Sequence, residues 1–299
     1  MIRNNNTQKW TSCVAGSLLL LLLPACTSEA DLEGSQPLVV TAEIASTSPS
    51  TRAIDATNYD KRIFEEDDEI QISDGSKNVD YKKDKTNGWV PTTTGSGLKV
   101  TASSSASTFS ASYPKGFTSI LKEQDQSYEN FWKSNKLEAK GTTNVKLTNN
   151  QVNFTFMPVA SKITISINYK SSGSSTTKYK DVTATLTGGT TCGIRTGGSS
   201  PEVINMLRTS ENVASDKHSF VCILYPGTWS FTLSVSRTLE SSSTPESKEQ
   251  TFTQSSYSFV AAKNYVYNFT SSDELILNKV EVEDFKAATD VPNDPVSAT

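Results

Sequence analysis

Lys162-Ile163-Thr164-Ile165-Ser166-Ile167-Asn168-Tyr169 alternates apolar and polar side chains at every step. A period of two places Ile163, Ile165, Ile167 and Tyr169 on one face of an extended strand. The same habit spreads outward in both directions. Val152-Asn153-Phe154-Thr155-Phe156 stands just upstream. Val182 to Leu186, Phe220 to Tyr225, Trp229 to Val235, Tyr257 to Val260 and Asn264 to Phe269 follow downstream. Nearer the start, Leu38-Val39-Val40-Thr41-Ala42-Glu43-Ile44 sets Leu38, Val40, Ala42 and Ile44 on one face. A Ser/Thr/Pro stretch from Ser46 to Thr51 then reads as an exposed loop. Ile70-Gln71-Ile72 runs into Asp74-Gly75, a hairpin signal. Trp89-Val90-Pro91, Leu98-Lys99-Val100 and the stretch from Thr108 to Pro114 read as further short strands. The aromatic and polar segment from Gln124 to Lys140 reads as a short helix or a long loop. No stretch past residue 26 keeps a helical period over three turns. The expected fold is therefore all-β, as two stacked β-sandwiches, with a composition dip at Gly141 to Asn150 as the boundary.

Composition agrees. Of 299 residues, 43 are Ser and 37 are Thr, while 12 Phe, 10 Tyr and 4 Trp are enough to build cores. This mix reads as an extracellular β protein. Net charge is −4, without the basic excess of an electrostatic nucleic-acid binder, so no nucleic-acid partner is expected. The single histidine, His218, excludes every mechanism that needs two.

The N-terminus reads as a targeting segment. Arg3 and Lys9 precede an apolar stretch with six consecutive leucines, Leu18 to Leu23, ending in Pro24-Ala25-Cys26. It is too short to span a bilayer and reads as a signal peptide over residues 1–25. Leu23-Pro24-Ala25-Cys26 resembles a bacterial lipobox, in which the thiol of the cysteine, here Cys26, is acylated and becomes the new N-terminus. The plainer reading is secretory cleavage after Ala25. Glu29, Asp31 and Glu33 resemble an acidic surface-export tag and equally suit a solvated tether. With Cys13 in the signal and Cys26 lipidated, Cys192 and Cys222 remain. Two readings stand: a Cys192–Cys222 disulfide, which an oxidising compartment permits, or Cys222 as a small buried hydrophobe in Phe220-Val221-Cys222-Ile223-Leu224.

Signs of chemistry are sparse. The Glu65–Glu69 acidic run lacks the spacing of a calcium loop and reads as a solvated turn. His218, next to Lys217, is expected at the surface. Gly188-Gly189 and Gly197-Gly198 read as hairpin turns. Serine-hydrolase, phosphate-loop, dinucleotide and zinc-protease motifs are absent from the sequence. No cofactor, no metal and no enzymatic activity are expected.

Several segments in order resemble the fimbrillin family, the subunits of type V pili. Phe64-Glu65-Glu66-Asp67-Asp68-Glu69-Ile70-Gln71-Ile72 is similar to its acidic turn and strand. Trp89 and Tyr113-Pro114 follow as in the family. Phe154-Thr155-Phe156-Met157-Pro158-Val159-Ala160-Ser161-Lys162-Ile163 resembles its midpoint, with Met157 where histidine is frequent. Leu224-Tyr225-Pro226, then Phe259 to Tyr267, resemble two late strands, with Ala262 in place of glycine. Val280-Glu281-Val282-Glu283-Asp284-Phe285 resembles the terminal strand, with Phe285 where tryptophan is usual.

The resemblance implies two tandem transthyretin-like β-sandwich domains, 53–150 and 151–299, behind a propeptide at 26–52. It implies export as a lipoprotein and cutting between Arg52 and Ala53 by an Arg-specific protease. The strand of Leu38, Val40, Ala42 and Ile44 would then be released, and the vacated edge would accept a strand from another pilus subunit. The family's donor is C-terminal. Here the possible donor comprises Leu275, Leu277, Val280, Val282 and Phe285, because Lys286 to Thr299 is poor in aliphatics and carries Pro292 and Pro295. The implied product is a cell-surface pilus that contributes to adhesion, its precursor lipid-anchored in the outer membrane and its receptor unspecified. The alternative is a permanently anchored lipoprotein that binds glycan or a host ligand through Tyr128, Phe131 and Trp132.

Overall fold

The computed structural model describes residues 34–45, 63–101, 109–141, 145–170, 177–188, 202–210, 213–241 and 247–285. Nearly all regular structure in them is strand. The first half holds β1 (Ser35–Pro37), β2 (Val39–Ile44), β3 (Glu69–Ser73), β4 (Asn78–Asp84), β5 (Gly88–Pro91), β6 (Lys99–Thr101), β7 (Ser110–Tyr113), α1 (Tyr128–Ser134) and β8 (Leu137–Lys140). Next come β9 (Gln151–Pro158), β10 (Ser161–Tyr169), β11 (Tyr179–Gly188), β12 (Val203–Asn205), β13 (Leu207–Arg208) and β14 (Lys217–Leu224). The last four are β15 (Gly227–Leu239), β16 (Ser247–Phe259), β17 (Lys263–Ser271) and β18 (Leu275–Asp284). The all-β expectation holds. The helix falls in the segment read as a short helix or long loop. It is capped by the Ser127 hydroxyl, which accepts from the Asn130 N–H at 3.1 Å.

Two main cores organise these strands. The first lies beneath a seven-stranded sheet in the order β2-β9-β8-β7-β3-β4-β5, with the pair β1-β6 beside it. Ile70, Ile72, Tyr81, Leu98, Val100, Phe109, Val152, Phe154 and Phe156 are sealed within it. Phe64 meets Trp89, Tyr113 and Phe156 edge to face at 5.1 to 5.3 Å. The Asp74-Gly75 signal is a real turn between β3 and β4. Gly75 takes φ +87°, open to glycine at no steric cost. The Asp74 carboxylate accepts from the Ser76 and Lys77 N–H groups at 2.8 and 2.9 Å.

The second core lies between the sheets β13-β14-β10-β17-β18 and β12-β11-β15-β16. β10 is central in its sheet, antiparallel to β14 and parallel to β17, and the isoleucines at 163, 165 and 167 are fully buried. A third, smaller cluster joins the two halves of the chain. Ile120 and Phe131 pack there with Leu207, Val221, Ile223 and Phe285.

The boundary expected between residues 150 and 151 does not match the strand pairing. β9 runs parallel to β2 and pairs with β8, and its Val152, Phe154 and Phe156 belong to the first core. The dip at Gly141 to Asn150 is the connection from β8 to β9, tightened by reciprocal Lys146–Asn149 backbone bonds at 2.9 Å. Pairing changes from the first sheet to the second only at Val159-Ala160, between β9 and β10.

Candidate strand-exchange site

Ser35 to Ile44 is one extended segment that serves two sheets. Its first part, β1, pairs antiparallel with β6, from Ser35↔Thr101 to Pro37↔Lys99. It then changes partner within two residues. The Leu38 N–H donates to the Leu98 carbonyl at 2.8 Å, and the Val39 N–H to the Asn150 carbonyl at 2.9 Å. Its second part, β2, runs parallel to β9 from Val39↔Gln151 to Ile44↔Phe156. Leu38, Val40 and Ile44 are buried, Ala42 is half-buried, and Val39, Thr41 and Glu43 face outward. The face read from the sequence is the buried one.

Polar pairs fix the register. The Thr41 hydroxyl donates to Asn153 Oδ1, the Thr155 hydroxyl donates to Glu43 at 3.2 Å, and the Asn150 amide donates to the Pro37 carbonyl at 2.6 Å. Burying Leu38, Val40 and Ile44 is worth about 1.5–3 kcal/mol each.

The position of this segment is what makes it a candidate site. β2 is the terminal strand of its sheet, and β6 has β1 as its one ladder partner among the described residues. Parallel neighbours cannot be joined by a tight hairpin, so only side-chain packing and backbone bonds seat β2 on β9. Without residues 35–44, β9 and β6 would each present an unpaired edge. Val152, Phe154 and Phe156, the partners of Val40, Ala42 and Ile44, would then lose their cover. Such an edge templates another strand.

The possible donor sits differently. β18 pairs with β17 along its length, with one irregularity at Asn268/Phe269. Leu275 is buried in the second core, Leu277 and Val280 pack half-buried against it, and Phe285 is buried in the third cluster. Val282 is 51% exposed. Lys263 Nζ meets Asp284 at 2.5 Å, and the Asn264 amide donates to Glu283 at 2.7 Å. β18 is thus an integral strand of its own sheet.

Other expected residues distribute as follows. Cys26, Arg52, Ala53 and Cys192 lie outside the described residues. Cys222 is buried on β14 and faces the second core. The three aromatics of the glycan-platform reading do not form an exposed platform. Phe131 is fully buried and Trp132 half-buried against the third cluster, because the helix turns both toward it; Tyr128 is exposed.

His218, expected at the surface, is also buried. It belongs to the inward row of β14 with Phe220, Cys222 and Leu224, so burial pushes its pKa down, with the Arg208 charge adding to the shift. The Val213 backbone and the Asp216 charge oppose it, Val213 without a hydrogen bond of normal geometry to the ring.

The acidic run forms a turn, as read. Asp68 accepts from the Glu65 N–H at 2.6 Å and from the Tyr113 hydroxyl at 3.1 Å. Lys82 pairs with Asp67 at 2.8 Å, and Lys115 bridges Glu69 and Asp80 at 2.9 and 3.1 Å. Lysines thus partner these carboxylates, and among the described residues no group of three or more acidic, His or Cys side chains is placed to hold a metal.

Sequence reading missed Gln124. Its buried side chain imitates a peptide unit against β14. Nε2 donates to the Ile223 carbonyl at 2.9 Å, and Oε1 accepts from the Ile223 N–H at 2.8 Å. Nothing in the sequence marks it. Arg237 was missed too, although extending Trp229, Phe231, Leu233 and Val235 by two residues reaches it.

The chain matches the fimbrillin-like family over residues 51–284 and belongs to it. Two solved structures share its fold. A candidate cell adhesion protein from Bacteroides ovatus is 16% identical, with a TM-score of 0.57 over 84% of this chain and 98% of that one. Another, from Bacteroides uniformis, is 20% identical, with a TM-score of 0.51 over 75% and 93%. The tip fimbrial protein Mfa3 from Porphyromonas gingivalis aligns at a TM-score of 0.40 and 10% identity, over 84% and 99%. No curated protein sequence matches the chain.

Proposed function

We propose that this protein is a structural, non-enzymatic subunit of a cell-surface pilus, and that residues 35–44 are a removable strand that keeps the subunit unassembled. The observation that carries the reading is the seating of that segment. It completes two sheet edges at once, is held to β9 without a hairpin, and covers fully buried aromatics. Membership of the fimbrillin-like family supports the same reading.

In this proposal the precursor is exported as a lipoprotein acylated on Cys26 and held in the outer membrane. An Arg-specific protease cuts between Arg52 and Ala53 and releases β1 and β2. A strand from another pilus subunit then lies along β9 and β6. Repetition of such a head-to-tail contact makes a filament that contributes to adhesion. The integration of β18 into the second core means that a donor drawn from it must leave Leu275 and Phe285 behind or carry them out.

The test is made in the native cells with wild type and Arg52→Ala. Surface material is sheared off, and its N-terminal sequence, intact mass and polymer content are measured. The wild-type form is expected to start at Ala53 within a polymer, and the variant to remain an unassembled precursor. A wild-type surface form that still begins at lipidated Cys26 would overturn the proposal in favour of a permanently anchored binding protein.

A further inference from the structure

The inward rows of the second core are apolar until their last positions at one end of the sandwich. There Arg237 follows Val235 on β15, Tyr169 follows Ile167 on β10, and Ser271 follows Phe269 on β17. His218 precedes Phe220 on β14, and Gln250 precedes Phe252 on β16. Arg237 is 2% exposed, His218 1% and Tyr169 6%. The guanidinium lies 4.1 Å from the Tyr179 ring centre and 5.5 Å from that of Tyr169. The Tyr169 ring centre is 4.5 Å from Tyr179 and 5.6 Å from His218.

Part of this cluster is satisfied internally. Arg237 donates to the Ser271 hydroxyl and, at 2.7 Å, to the Ser272 carbonyl. Gln250 accepts from the Ser271 hydroxyl at 2.6 Å and donates to the Ser272 carbonyl at 3.0 Å. Four polar atoms are left over: Arg237 Nε, Tyr169 Oη and both ring nitrogens of His218 form no hydrogen bond of normal geometry, and only the Val213 backbone acts on the histidine ring as an acceptor. Arg237 also makes no ion pair with a carboxylate among the described residues. Asp273, which acts on it through space, is fully exposed and lies 3.6 Å from Lys248.

We infer that this end of the second core binds a small inorganic anion of halide size, held by Arg237 Nε–H, Tyr169 O–H and one N–H of His218. A water molecule could accept from these donors but would leave the sealed cation uncompensated. Two aromatic faces and two oxygen acceptors return less than the hydration a guanidinium loses. Charge-assisted hydrogen bonds to an anion meet both demands. Because the three side chains are sealed from solvent, the anion enters as the core closes and binds the folded state alone. It therefore stabilises by RT ln(1 + c/Kd), where c is the free anion concentration, rising with the logarithm of c once that exceeds the dissociation constant. The site is independent of strand exchange.

The experiment uses the purified protein in two measurements. Crystals grown with sodium bromide in place of chloride are expected to show an anomalous peak in hydrogen-bond contact with Arg237 Nε and Tyr169 Oη. The thermal midpoint is expected to rise with chloride when gluconate keeps the ionic strength constant, and Tyr169→Phe is expected to weaken the apparent chloride affinity several-fold. Arg237→Met should abolish the response. If that variant does not fold, Tyr169→Phe, which keeps the ring, carries the test. A water-like peak without anomalous signal, or the same chloride response in Tyr169→Phe as in wild type, overturns the inference.

Discussion

β2 and β18 are both terminal strands of their sheets, yet they are held in opposite ways. β2 is parallel to its neighbour, and its apolar face keeps strict alternation through Leu38, Val40, Ala42 and Ile44. β18 is antiparallel to β17 and joined to it by a short turn, with its alternation interrupted at Asn278. The inward face of β18 grades from buried Leu275 through half-buried Leu277 and Val280 to exposed Val282. Burial therefore concentrates where covalent tethering is weakest. A strand with a regular, buried face and no hairpin can be replaced by another that presents the same pattern. A strand built into a hairpin, with the residue that follows it, Phe285, in a joining cluster, cannot leave without disturbing two cores.

The sharpest way to break this contrast is a charge on each strand. Val40→Asp puts a carboxylate against Val152 and should cost about 3–5 kcal/mol. Val282→Asp adds a charge where the side chain already meets solvent and should stay within about 0.5 kcal/mol. Thermal or denaturant unfolding of the two variants measures both; equal losses would mean that β2 and β18 are anchored alike.

The second comparison concerns how firmly the two halves are joined near β18. Gln124→Leu leaves the Ile223 N–H and carbonyl without their side-chain partner and should cost about 1–3 kcal/mol. Faster hydrogen exchange at the Ile223 amide, with unchanged exchange on β9, would locate the loss at the third cluster.

The smallest expected effect is on pH dependence and separates the second core from the first. Burial lowers the His218 pKa in the folded state, so protons bind the unfolded chain more readily. Stability should be flat above the ordinary histidine value of about 6.5 and should fall as pH drops below it toward 5. His218→Gln should flatten that slope. An unchanged slope would mean that carboxylates alone set the acid response.

The strand face at 38–44, the central strand at 162–169 and the Asp74-Gly75 turn were all legible, because each is a local pattern with one physical solution. The long polar stretch of β16 was not, because its outward row is Glu249, Thr251, Thr253 and Ser255 while the opposite row carries Lys248, Gln250 and Gln254 beside Phe252, so apolar alternation is missing on both faces. The aromatics of α1 were misread as a platform because a seven-residue helix is too short for its sequence to show which side is covered. His218 was misplaced for a similar reason. Its neighbour Lys217 is outward, and a period of two then requires the histidine to be inward.

An all-β protein, the inward faces of the strands at 38–44, 152–156 and 162–169, and the ordered motifs of a fimbrillin-like chain follow from the sequence, since alternation and turn chemistry act over a few residues. It takes the folded arrangement to show that β9 belongs with the first core, that β2 lies parallel to it at an edge, and that Gln124 completes β14 from 99 residues away. Those facts depend on pairing between segments far apart in the chain, where backbone bonds are the same for every sequence and the choice of partner falls to the packing of the whole core.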